Sequence, residues 1–204
     1  DGVDVRLSQG DVEALVGKLP HGKAGAYLNN KIPFVFDYAD NDADVLPKSS
    51  KDLSHGTHVA AIAAANAADL QGTAPHAQII VAKVASDKDG SIPDNTVLAA
   101  LDDAVVIKPD SINLSLGEDA GMGTEAGTMY AEVYKNLAAA GVTVNAAAGN
   151  SYSSAYSNYS GKNKPFATDP DAGTVSEPGS YSSTLAVASV NNQDALPYLT
   201  VGDR

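Results

Sequence analysis

Cysteine is absent from all 204 residues, which excludes disulfides, thiolate metal sites and a cysteine nucleophile. A long apolar run is also missing. The longest, residues 59–68, is too short and too alanine-rich to span a bilayer, and Asn66 interrupts it. No transmembrane segment is therefore expected in this chain. Basic residues are scarce, 13 against 25 acidic ones for a net charge of -12. That balance repels phosphate backbones and argues against a nucleic-acid partner. The start, Asp1-Gly2-Val3-Asp4, carries neither an initiator methionine nor a charged-then-apolar leader, so the chain reads as a piece of something longer. Its length permits a buried core and suits one domain or most of one.

From about residue 77 onward, short β-rich apolar runs alternate with amphipathic stretches of helical length, the pattern of βαβ units and a mostly parallel sheet with helices on both faces. The fold class expected is α/β. Residues 79–84, 111–116, 142–147 and 185–190 read as strands, each nearly all apolar, as strands covered on both faces should be. Between them, residues 95–107 place Val97, Leu98, Leu101, Ala104 and Val105 on one helical face. Residues 125–140 repeat Met129, Val133 and Leu137 at fours. Gly141 stands where a left-handed cap would end that helix. Upstream, residues 11–19 suggest a short helix and residues 32–38 a strand leading into an acidic turn, while 151–180, rich in Ser, Tyr, Gly, Asn and Pro, reads as a long surface loop.

The richest stretch for chemistry is Ser54-His55-Gly56-Thr57-His58-Val59-Ala60-Ala61-Ile62. His55 stands where a loop enters a helix, Gly56 leaves room for another backbone or a substrate, and the alanines make the helix slim enough to lie beneath a sheet. A base placed there is accessible, although an alanine helix that merely begins with two histidines fits the same residues. Zinc fits poorly, because His55 and His58 are three apart with no glutamate between them, whereas the metalloprotease pattern needs four and a glutamate.

A second stretch, Val142-Thr143-Val144-Asn145-Ala146-Ala147-Ala148-Gly149-Asn150, narrows from a strand to small residues and then to an amide. Sites in parallel α/β sheets lie beyond the carboxyl ends of strands. There Asn150 can donate to an oxygen that becomes negative in a tetrahedral intermediate, or simply close a Gly-Asn turn. In a third, Ile112-Asn113-Leu114-Ser115-Leu116-Gly117, the strand end offers backbone for an extended peptide to pair with, or is plain core strand.

Together, His-Gly-Thr-His-Val opening a helix, Asn-Leu-Ser-Leu-Gly ending one strand and Ala-Ala-Gly-Asn ending a later one resemble the subtilases, the subtilisin-like serine endopeptidases. The resemblance runs from about residue 50 to 190, where Glu177-Pro178-Gly179 and Leu185 through Val190 resemble the family's return into its next strand. It implies His55 as general base, Asn150 as oxyanion donor, Ser115, Leu116 and Gly117 as the strand that holds substrate, and Ala147, Ala148 and Gly149 as a wall of the primary specificity pocket. It also implies a polypeptide substrate, no cofactor for the chemistry and a calcium ion as a structural option. Residues 32–40, the Ser/Tyr/Asn-rich loop after Asn150, and Asp169-Pro170-Asp171-Ala172-Gly173-Thr174-Val175 are similar to the large cell-envelope proteinases of Gram-positive bacteria. That likeness implies a secreted or cell-wall-attached parent, with a protease-associated insertion beginning near Val201-Gly202-Asp203-Arg204.

The family pattern fails at two points. No Gly-Thr-Ser motif and no Gly-x-Ser-x-Gly elbow occurs, so the nucleophile is expected outside this chain, which is then a partial catalytic domain (residues 1–204) incomplete at both ends and inactive alone. Asp1-Gly2-Val3-Asp4 resembles the tail of Asp-x-Gly-Val-Asp, placing the orienting aspartate at Asp1 or one residue before it. Asp119-Ala120-Gly121 and Asp171-Ala172-Gly173 match only literally and read as turns. The acidic run Asp37, Asp40, Asp42, Asp44 lacks the glycine and glutamate of a calcium loop and reads as a solvated turn. The competing function is a non-catalytic domain of the same fold that binds peptides or serves adhesion.

Overall fold

The computed structural model describes residues 2–48, 54–118, 125–150 and 175–189. The chain divides into two compact units, one of Asp1–Ile112 with Glu125–Thr143, the other of Asn113–Thr124 with Val144–Arg204. Its architecture is α/β, with helices alternating with strands that pair in parallel.

In the first unit, helix α1 (Gln9–Val16) begins two residues before the expected start because Ser8 and Asp11 form a reciprocal capping box. Asp11 N donates to Ser8 Oγ at 3.3 Å, and Ser8 N donates to Asp11 Oδ2 at 2.9 Å. Strand β1 (Phe34–Asp37) is buried along its whole length. After helix α2 (His55–Ala64), strand β2 (Ile80–Lys83) pairs with β1 in parallel, Phe34 opposite Ile80 and Asp37 opposite Lys83. Val12, Leu19, Phe34 and Phe36 form the core here, joined by Leu15, Val16 and Ile107. Removing such side chains from water supplies roughly 25 cal/mol per Å² of apolar surface.

Helix α3 (Asp94–Ile107) turns Val97, Leu101 and Ala104 inward, as its periodicity predicts. It also buries a charge, since Asp103 is fully enclosed. His21 N and Gly22 N donate to its carboxylate at 3.0 and 2.6 Å, and the Tyr38 hydroxyl donates at 2.8 Å. A buried carboxylate is tolerable only with such donors. A Cβ on Gly22 would lie 2.7 Å from Asp103 Oδ2, so only glycine lets the carboxylate this close. Burial, and then the neighbouring Asp103, push the Tyr38 phenol well above its ordinary range.

Helix α4 (Ala131–Ala139) is shorter than the 125–140 expected. Gly127 takes a left-handed φ of 84°, and Thr128 Oγ1 turns back to donate to Glu125 O at 2.6 Å, so the chain makes a turn before the helix starts. Met129 is consequently 63% exposed, while Val133, Tyr134 and Leu137 are buried. Gly141, at φ 79°, ends the helix as predicted. Helices α3 and α4 pack together, with Tyr130 donating to Asp94 Oδ1 at 2.7 Å.

Strands β3 (Ser111–Leu114), β4 (Thr143–Ala147) and β5 (Leu185–Val187) form a second set in the order β3-β4-β5, with β4 and β5 parallel. The single sheet expected is thus described as two hydrogen-bonded sets, and no ladder joins β2 to β3 among the described residues. Coverage of both faces holds for β1 only. In β4, Val144 and Ala146 are buried while Asn145 and Ala147 are half-buried, and in β5 Leu185 and Val187 are exposed. β5 is an edge strand of its set, which leaves it less surrounded than a central strand.

Candidate active site

His55 is the first residue of α2, and its side chain is exposed. His58 N donates to Ser54 O at 3.0 Å, closing the first helical turn, and a Cβ on Gly56 would meet nothing within 4 Å. Among the described residues the first turn of α2 is exposed, as the sequence predicts. The helix has an anchor that its sequence did not announce. Among the described residues α2 buries Ala64 and leaves Ile62 exposed. Its C-terminal half is held by backbone bonds from residues 72–74: Gly72 N to Ala65 O, Thr73 N to Ile62 O and Ala74 N to Ala63 O, at 2.9, 2.9 and 2.8 Å. The small side chains serve that close approach. A Cβ on Gly72 would lie 2.5 Å from Ala64 N.

The other candidates belong to the second unit. Asn150 is exposed at a bend just beyond β4, after Gly149 at φ 100°, a left-handed turn into which Ser176 packs. The segment 175–181 ties the strand ends of this unit together. Ser176 N donates to Ala148 O at 2.9 Å, Ala148 N to Val187 O at 2.9 Å, and Glu118 and Glu177 exchange backbone bonds of 3.0 Å each way. Gly117 runs so close to Glu177 O that a Cβ there would clash with it. Ser115, Leu116, Ala147 and Ala148 are half-buried, Gly117 and Gly149 exposed, and Asn113 Nδ2 donates to Ser115 Oγ at 3.0 Å. The ends of β3 and β4 are thus brought together in one unit, with small residues and the Asn150 carboxamide at their rim. His55 lies in the other unit. Asp1, Asp119-Ala120-Gly121, Asp171-Ala172-Gly173, residues 151–174 and the chain end from Val201 to Arg204 fall outside the described residues.

The acidic run is not simply solvated. Asp37, at the end of β1, is fully buried and pairs with Lys83 directly across the ladder. The same ammonium stands 3.5 Å from Asp40 and forms an ion pair with Asp87 Oδ1 at 2.8 Å. Lys48 reaches Asp87, Asp44 and Asp42 at 2.9, 3.5 and 3.8 Å. Asp37, Asp40 and Asp87 come close enough to share a cation, but Lys83 already supplies positive charge among them. The donor set therefore does not fit a calcium ion. Sequence reading missed this cluster because Lys83 and Asp87 are distant in the chain; their only signal was the alignment of β2 with β1.

Removing Lys83 would leave Asp37 as an uncompensated buried charge. Lys83→Met is expected to cost about 3–5 kcal/mol of stability, read from urea unfolding, with part of the loss recovered when Asp37→Asn is added. The cluster also sets a pH window. The ammonium of Lys83, then that of Lys48, holds the Asp87 carboxyl below its ordinary range. That contribution is complete above the unfolded value of 3.8 and is lost as pH falls through the lower folded one. Burial works against the Lys83 charge, but Asp37 and Asp87 outweigh it and raise its pKa; Lys48 is raised chiefly by Asp87. Those contributions hold below 10.5 and fade as pH climbs through the folded values. This cluster's contribution to Tm is therefore expected to be flat from about pH 4 to 10 and to drop below and above that window. A Tm that rises on acidification below pH 4 would contradict this.

The sequence model of the Subtilase family matches residues 23–202. A PI-type proteinase of Lactococcus lactis subsp. cremoris is 35% identical over 204 aligned residues, covering 96% of this chain and 10% of the relative. A PII-type proteinase of Lacticaseibacillus paracasei is 34% identical over the same shares, and a C5a peptidase of Streptococcus pyogenes is 30% identical over 88% of this chain and 15% of its own length. The chain spans about a tenth of the length of the proteinases it matches. Among solved structures, a lanthipeptide protease is similar over 67% of this chain and 37% of that one, at 24% identity and a TM-score of 0.44.

Proposed function

Because the chain belongs to the subtilase family, whose sequence model covers residues 23–202, we propose that it forms the base-bearing and oxyanion-bearing part of a secreted or cell-wall-attached serine endopeptidase. A serine supplied from outside residues 1–204 attacks the scissile carbonyl. His55 takes its proton and later returns it to the leaving amine, so that the peptide C–N bond breaks as the acyl–enzyme ester forms. An aspartate of the motif ending in Gly2-Val3-Asp4 orients the imidazole. Asn150 donates its amide hydrogen to the carbonyl oxygen as that atom gains charge. Substrate backbone pairs along Ser115, Leu116 and Gly117, and Ala147, Ala148 and Gly149 leave room for a side chain. This acyl transfer requires no metal or cofactor.

The observation that carries this reading is the exposed Asn150 amide at a left-handed turn just beyond β4, beside the backbone arm that follows β3. Its supports are the accessible His55 at a helix start and the small residues at both strand ends.

Two measurements test the assignment. The full-length protein should be labelled by a fluorophosphonate and should cleave an unstructured polypeptide. The isolated chain of residues 1–204 should take up no fluorophosphonate, since it holds no serine in a nucleophile motif. Labelling of the isolated chain would place the nucleophile inside it. An unlabelled full-length protein that still binds peptides would favour the non-catalytic reading.

A further inference from the structure

The segment that carries the tail of the aspartate motif, residues 2–7, is poorly held by apolar contacts. Among the described residues, Leu7 alone of residues 2–7 packs against the core cluster, Val5 is 47% exposed, and the Arg6 guanidinium pairs with the exposed Asp110 at 3.9 Å. What fixes this strap is a set of main-chain hydrogen bonds centred on one side chain. Gln78 Oε1 accepts from both Arg6 N and Leu7 N at 2.8 Å. Its Nε2 donates to Leu7 O at 3.0 Å and to Asn30 O at 2.6 Å. Two backbone donors meet one end of the amide and two acceptors the other, so its orientation is determined and its bonding capacity is spent on backbone. Two residues upstream, His76 O accepts from Asp4 N at 2.9 Å, and His76 Nδ1 bonds Gly2 O.

The clamp is itself anchored. Lys31 Nζ donates to Pro75 O and Ala77 O at 2.7 and 2.5 Å, and Ile79 N donates to Lys31 O at 2.8 Å. Gln78 then leads directly into β2, which is paired with the buried β1. The position of the strap is thus referred to the most enclosed strand of its unit.

Resting on the reading that the orienting aspartate stands at or just before Asp1, we propose that Gln78 is a positioning residue of the reaction. It holds the strap 2–7 in register with β2 and thereby fixes where that aspartate meets the catalytic histidine; His76 ties the end of the strap nearer the aspartate. Because the strap buries so little, releasing it shifts the aspartate without dismantling the core. A misplacement of about 1 Å in such a group can cost on the order of 10²-fold in rate. An imidazolium deprived of its carboxylate partner also has a lower pKa.

The test is made in the full-length proteinase, with active sites counted by fluorophosphonate titration so that misfolded molecules drop out. Gln78→Ala is expected to lower kcat per titrated site by about tenfold or more with KM within about twofold, and to move the acid limb of kcat/KM to lower pH. His76→Ala, which loosens only one end, should produce the same pattern more weakly and covers the case in which Gln78→Ala yields too little folded enzyme. A loss of Tm or of titratable sites with kcat per site and the acid limb both unmoved would make Gln78 merely structural and overturn the proposal. An inert wild-type protein would instead remove the endopeptidase reading, and this proposal with it.

Discussion

His55→Ala is expected to lower the kcat of the full-length proteinase by about 10⁶-fold, the scale on which a subtilisin suffers when its general base is deleted. That corresponds to roughly 8 kcal/mol of transition-state stabilisation. Two features of this chain make the measurement clean. The imidazole is exposed at the first residue of α2, so its loss opens no cavity, and stability should change by no more than about 0.5 kcal/mol. His58 provides the internal control: it is one turn along the same exposed helix face, and His58→Ala should leave kcat within about threefold if the base is His55 alone. Equal losses at the two positions would show that a helix start, rather than one base, had been damaged. A peptide-cleavage progress curve with active-site titration decides between them.

Asn150→Ala carries the second large effect, about 10²–10³ in kcat or 2.7–4 kcal/mol, with KM within about twofold. The split between the two constants is diagnostic. An amide that bonds the oxygen only once it carries charge contributes to turnover, whereas one that holds ground-state substrate would raise KM instead. The exposed bend after Gly149 makes a folding defect an inadequate explanation for a pure loss of kcat. Raised KM with unchanged kcat would reassign Asn150 to substrate binding.

The candidate site was legible in the sequence to the extent that chemistry was written in contiguous residues. His55 at a helix start and Asn150 just past a strand end both fell where the local pattern put them, the first at the opening of an alanine-rich helix and the second after Gly149, whose left-handed φ of 100° ends the extended backbone. Strand and helix positions were legible for the same reason: α3 departs from its periodic reading by one residue. What failed was whatever a count of apolar residues does not register, a local turn or a close approach by backbone. The start of α4 was set by a left-handed Gly127 and the Thr128 hydroxyl, neither of which disturbs a count of apolar residues at fours. The alanines of α2 were read as a request for close approach, and one element that makes it, the backbone of residues 72–74, carries no signal in the sequence.

Buried polar groups were the other blind spot. Asp103 sits within a helix whose apolar stripe is complete without it, and nothing local marks it as enclosed; only His21, Gly22 and Tyr38, some eighty and sixty-five positions away, explain it. Gln78 and Lys83 are similar cases. Each is a polar residue at the border of a strand, where sequence alone offers solvent as the default, and each instead finds main-chain or carboxylate partners more than forty positions distant.

The two lysines among the acidic residues give the stretch between β2 and α3 a fastening in depth. Lys83 is 14% exposed and Lys48 is 42% exposed, yet both hold Asp87. Dissolved ions screen the outer bond at moderate ionic strength and hardly reach the inner one. In brine, then, residues 85–92 would loosen first on their outward side while still pivoting on an inner peg, a motion that salt concentration alone could dial.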